Sequence, residues 1–140
     1  MEYISNARSD ILSEIKVAIL SFGYKYGIPI NADFVFDVRC LPNPFWVASM
    51  REMSGFDREV RDFVFADSSA DGYYNSILLT VKSYLDLTGK DTVTVCIGCT
   101  GGQHRSVAAA IRLFDDLSKV ANCSIAHRES FRFIKEGIVK

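Results

Sequence analysis

The residues best equipped for chemistry stand together in one stretch, Gly98-Cys99-Thr100-Gly101-Gly102-Gln103-His104-Arg105-Ser106. Adjacent glycines tolerate positive φ, so a chain passing through Thr100, Gly101 and Gly102 can turn several backbone N–H groups toward one point. Such a concavity attracts an anion. Arg105 can engage two oxygens at once, a charge-assisted contact worth roughly 1.5 to 3 kcal/mol. Thr100, Gln103, His104 and Ser106 can complete the shell. A helix beginning here, with an exposed start, adds unpaired N–H groups and the positive end of its dipole. Packing alone would not require Thr, Gln, His, Arg and Ser together at one helix start. A phosphate or similar small anion is the expected ligand, with no metal and no cofactor.

A rival chemistry uses the same residues. Cys99, five intervening residues, then Arg105 and Ser106 reproduce the spacing of protein-tyrosine-phosphatase-like loops, in which a thiolate attacks phosphorus. In that reading Cys99 and Arg105 are catalytic, and Asp67 or Asp71 is the general acid. Gly98 stands where that superfamily usually places a histidine. Cys96 and Cys99 also form a Cys-x-x-Cys pair, but a strand-interior Cys96 points into the core, and the two histidines lack finger-like spacing.

These residues need a frame. Residues 16–22, 34–39, 92–97 and 123–126 have the apolar, β-branched character of strands. Two or three helices are expected between 47 and 87, and Val107, Ala110, Ile111, Phe114 and Leu117 predict another from about 104 to 120. Long helical crossovers between strands imply an α/β fold, a small, mostly parallel sheet with helices on both faces. Ligands in such folds sit beyond the carboxyl ends of the strands. Three polar clusters fall there: Asp37 to Asn43, Gly98 to Ser106, and His127-Arg128-Glu129.

The chain of 140 residues, 49% hydrophobic, suffices for one core. Its 16 basic and 17 acidic residues nearly cancel, so no global field favours nucleic acid or an anionic membrane. No apolar run is long enough to span a bilayer and no secretory signal opens the sequence, so a cytoplasmic location is expected. The four cysteines read as free thiols of a reducing compartment. The expected division is a leader over 1–15, weakly helical, and a single domain over 16–140.

Three motifs in order resemble the carboxy-terminal domain of the RapZ (YvcJ-type) family. They are Phe22-Gly23-Tyr24-Lys25-Tyr26-Gly27-Ile28-Pro29, Val35-Phe36-Asp37-Val38-Arg39-Cys40-Leu41-Pro42-Asn43-Pro44, and the loop from Ile97 to Val107. The resemblance covers roughly residues 16–130, and His127-Arg128 fits it. It implies a likeness to a phosphofructokinase subdomain, self-association, and sensing of a phosphorylated amino sugar such as glucosamine-6-phosphate. Some members also bind a small RNA and present it to a ribonuclease. The loop residues Thr100, Gly101, Gly102, His104, Arg105 and Ser106 match the family's anion loop, and Asp37, Arg39 and Asn43 its second cluster, reading the sugar end. Two alternatives stay open: an internal Asp37-Arg39 pair closing the strand, and a solvated strand end at His127-Arg128. The family's nucleotide-binding half, with its Gly-x-x-x-x-Gly-Lys-Ser/Thr motif, has no counterpart here. Phe45 departs from the family's histidine, and residues 135–140 lack the basic tail of the RNA-binding members.

Overall fold

β-Branched residues alternate through Thr92-Val93-Thr94-Val95, and the strand they build runs beside three others. The computed structural model describes residues 14–134, so nearly all of the expected leader, and residues 135–140, lie outside it. The strands are β1 (Lys16–Gly23), β2 (Phe34–Asp37), β3 (Thr92–Cys99) and β4 (Asn122–His127); the helices are α1 (Arg58–Val64), α2 (Ser68–Leu87) and α3 (Arg105–Leu117). All four strands are parallel, in the order β2-β3-β1-β4. The α/β class and the parallel sheet are as the sequence implies.

The layering differs from expectation. Ile19 on β1 stands level with Val95 on β3 and Ile125 on β4, and Phe34 on β2 is also level with Val95. Ile19 and Val95 share one core cluster with Val60 and Val64 of α1, Tyr74 and Val81 of α2 and Leu113 of α3, and Phe34 meets Tyr84 of α2 edge-on at 4.9 Å. The intervening side chains Ala18, Ser124 and Ala126 are exposed, although β1 is a central strand. The three described α-helices therefore cover one face rather than both. Chain handedness explains this: β2 to β3 and β3 to β4 step the same way across the sheet, so right-handed crossovers put their helices on the same side. The connection from β1 back to β2 steps the other way and contains a 3-10 turn (Tyr24–Tyr26), not an α-helix. Tyr24 and Phe22 crowd that face so closely that a Cβ on Gly98 would lie 2.4 Å from the Phe22 ring.

Helix α2 follows from its pattern. Ala70, Tyr74, Ile77, Val81 and Leu85 recur every three or four residues and are buried, and Asp67 caps the start by accepting from Ser69 N–H at 2.6 Å. Residues 47–57 form turns instead of a further helix. Gly55 explains part of this: its N–H donates to Gln103 O, and a Cβ there would lie 2.5 Å from Ala108 N. The 47–57 segment is thus docked against the start of α3.

Leu113 is fully buried where α3 crosses the sheet. Leu113→Ala should lower unfolding stability by about 2 to 5 kcal/mol, read from the midpoint of urea denaturation. A loss under about 1 kcal/mol would contradict this packing.

Candidate functional site

Strand β3 runs on through Gly98 and Cys99, so the loop proper is 100–104 and α3 begins at Arg105. Three carbonyls of this loop are held, and its N–H groups are not. Thr100 O accepts from Lys25 N–H, Gln103 O from Gly55 N–H and His104 O from Ala108 N–H. Among the described residues, the N–H groups of Thr100, Gly101, Gly102, Gln103, His104, Arg105 and Ser106 donate to no acceptor in the protein. A helix start leaves its first few N–H groups free, and here the preceding loop extends the run. Beside it lies a hollow of about 410 Å³, lined by Thr100, Gly101, Gln103, His104 and Arg105 together with Lys25, Asn43, Phe45, Trp46 and Cys99.

Close approach without side chains shapes the loop. Gly102 has φ +74°, and a Cβ there would lie 2.6 Å from Glu129 Cγ; a Cβ on Gly23 would lie 2.6 Å from the Gly101 carbonyl carbon. Only glycine fits either place. Glu129, 1% exposed, accepts from Gly23 N–H at 3.1 Å, Arg128 Nε at 2.7 Å and Arg132 Nε at 3.1 Å. Burial pushes its pKa up, but these donors outweigh burial and hold the carboxyl below its usual range. A charged, neutralised carboxylate therefore backs the loop from behind.

The expected site residues take several places. Arg105 lines the hollow, yet it is 6% exposed and its Nη1 donates to Arg39 O at 2.5 Å and Leu41 O at 3.4 Å. The start of α3 is thus buried and tied to the loop after β2, not exposed. Gln103 Nε2 donates to Met53 O at 2.7 Å, and His104 Nε2 lies 3.1 Å from Met50 O, so both side chains also anchor residues 50–53. Burial lowers the pKa of His104, leaving a neutral ring whose Nε2–H donates to that carbonyl. Ser106 is fully buried, and its Oγ accepts from Cys99 Sγ at 3.1 Å behind the loop.

Asp37 and Arg39 pair with each other through contacts of 2.8 to 3.1 Å, and Arg39 stacks 3.9 Å from the Tyr24 ring centroid. The hydrogen bond from Arg39, outweighing burial, holds Asp37 below the usual carboxylate range. The pair borders the strand end, while Asn43 reaches the hollow and accepts from Phe45 N–H. His127 and Arg128 do not line the hollow. Both are half-buried and engaged within the protein: His127 Nδ1 is 2.6 Å from Ser21 Oγ, its ring meets Phe56 edge-on, and Arg128 Nη2 donates to Gly27 O at 2.6 Å.

Sequence reasoning did not assign Lys25, Phe45 or Trp46 to the site. Lys25 was legible as the one cation in the first motif, and two adjacent aromatics after Asn43-Pro44 were a second signal. Cys99 lines the hollow but is only 3% exposed as a residue, and the general acids that nucleophilic catalysis would call on are elsewhere: Asp67 caps α2, Asp71 pairs with Arg112 at 2.6 Å, and neither lines the hollow. Cys96 and Cys99, three apart on β3, face opposite sides of the sheet. No described helix is long and apolar enough to cross a membrane.

The sequence model of the RapZ C-terminal domain matches residues 15–130. The match spans β1 through β4 and includes every residue lining the hollow.

Two outcomes follow. An aryl phosphate such as p-nitrophenyl phosphate should not be turned over, and hydrolysis that disappears in Cys99→Ser would overturn the geometry's reading. Burial pulls His127 down to about 4, whereas an unfolded histidine titrates near 6.5. The unfolded chain then binds more protons between those values, so stability is lost as pH falls from about 6.5 to 4. His104 acts in the same direction. Thermal melts across that window should show a slope that His127→Gln reduces, and an unchanged slope would contradict the burial argument.

Proposed function

The chain belongs to the RapZ C-terminal domain family, and on that premise we propose that it is a non-catalytic sensing module for a phosphorylated sugar or amino sugar. Membership fits a regulatory domain in general. The observation that carries the finer reading is the run of unpaired N–H groups from Thr100 to Ser106 beside a hollow containing Arg105 and Lys25. Buried donors left unmade cost about 1 to 3 kcal/mol each, so this loop favours an anion able to accept from several at once. Phosphate is such an anion. Arg105 brings its charge from a fixed position, Lys25 adds one on the open side, and Thr100 offers an exposed hydroxyl. Asn43 and Gln103 face the part of the ligand beyond the phosphate.

An RNA-binding, ribonuclease-adaptor role is the second reading, and one observation favours it. Tyr26 and Phe131 are exposed with the Arg132 guanidinium 3.4 Å and 4.6 Å from their ring centroids, and Lys25 lies 5.2 Å from Tyr26. Aromatic faces interleaved with cations suit single-stranded nucleic acid. The near-neutral charge of the whole chain limits what counterion release can add.

Thermal-shift titration separates these readings. Glucosamine-6-phosphate should raise the melting temperature, inorganic phosphate should raise it less, and glucosamine should leave it unmoved. Lys25→Ala should weaken glucosamine-6-phosphate binding about five- to tenfold while the unliganded melt stays put, because that side chain is exposed. A melt indifferent to both phosphates would defeat the sensor reading. RNA binding whose affinity falls steeply with salt would support the adaptor role.

A further inference from the structure

The most exposed aromatic side chain of the described residues borders the hollow. Trp46, the only tryptophan of the chain, is 75% exposed, and neighbouring Phe45 is 44% exposed. Both sit in a 3-10 turn (Pro44–Trp46) fixed from several sides. Asn43 Oδ1 accepts from Phe45 N–H at 3.1 Å, Val47 N–H donates to Pro44 O at 2.9 Å, and Arg51 Nε donates to Phe45 O at 2.9 Å. Pro44 is buried beneath the turn. Phe45 meets the indole edge-on, with centroids 5.1 Å apart and planes at 84°, while the Arg51 guanidinium lies 4.9 Å from the Phe45 centroid. The indole is thus held in place yet left uncovered, so a ligand meeting it forfeits little flexibility.

The two walls of the hollow differ in chemistry. One consists of unpaired N–H groups, Arg105 and Lys25; the other is aromatic. A free anion uses only the first. A phosphomonoester of a pyranose presents both a charged end and a ring face of C–H groups, and polarised C–H groups suit the negative face of an indole. Its hydroxyls meanwhile lie within the part of the hollow that Asn43 and Gln103 line.

We propose that Trp46, steadied by Phe45, is the specificity-determining residue of this site and selects cyclic sugar phosphates over inorganic phosphate and acyclic phosphate esters. The proposal rests on the anion-binding reading above. Trp46 receives the ring face while the loop holds the phosphate, and Phe45 sets the angle of the indole.

Calorimetry on the full chain with inorganic phosphate, glycerol 3-phosphate, glucosamine-6-phosphate and adenosine 5′-monophosphate tests it, together with tryptophan emission. Glucosamine-6-phosphate should bind at least about tenfold tighter than glycerol 3-phosphate and should shift the Trp46 emission, whereas inorganic phosphate should bind without that shift. Trp46→Ala should bring the ratio of the two affinities close to one, and Trp46→Phe should restore most of it. A ratio that Trp46→Ala leaves unaltered overturns the proposal. So does Trp46-dependent binding of the nucleotide tighter than that of the sugar phosphate, which would assign the wall to a base. If inorganic phosphate and all three esters fail to bind, the anion reading itself fails.

Discussion

The site depends on an asymmetry in one loop, in which three carbonyls are bonded while the amides meet no acceptor among the described residues. Lys25, Gly55 and Ala108 donate to Thr100, Gln103 and His104, and those three bonds fix the backbone without using its own donors. Seven consecutive N–H groups then remain for solvent or a ligand. A loop held by its amides would have the opposite character and would repel an anion. Much of the surrounding structure serves this arrangement. Glycines at 23 and 102 allow the end of β1 and the loop to touch, and the buried Glu129 braces the contact. The price is a carboxylate close behind the proposed anion site, and Arg128 and Arg132 offset it.

Side chains in this protein divide their labour in a way residue type does not announce. Arg105, Gln103 and His104 each combine a place on the hollow with a bond to a distant backbone carbonyl, at Arg39, Met53 and Met50. They fasten the two segments after β2 to the start of α3. A ligand drawing on these groups would therefore act on residues 39–53 as well, which would give the proposed sensor a route from the bound state to a surface.

Local patterns made the strands and the loop 100–104 legible. The β-branched run 92–97, the glycine pair and the spacing of Val107, Ala110 and Leu117 each express a backbone preference within a few residues. What stayed hidden depends on the order of strands. That the described helices form a one-sided layer follows from β1 lying between β3 and β4, which no local period encodes. Likewise, Asp37 and Arg39 have types suited to a ligand but satisfy each other, and Ser106 turns behind the loop because it sits on the buried side of α3. Trp46 entered the site through the turn after Asn43, a contact that composition could not reveal. Family resemblance placed the motifs at the right strand ends, while the geometry separated the residues facing the hollow from those supporting it.

Amide chemical shifts of a ¹⁵N-labelled sample, followed through a titration with inorganic phosphate, test the central claim most directly. The account predicts that the largest changes fall on the N–H signals of Thr100 through Ser106, moving as amide protons do when they gain a charged acceptor. Saturating phosphate that leaves those seven signals in place, or shifts chiefly amides elsewhere, would contradict it.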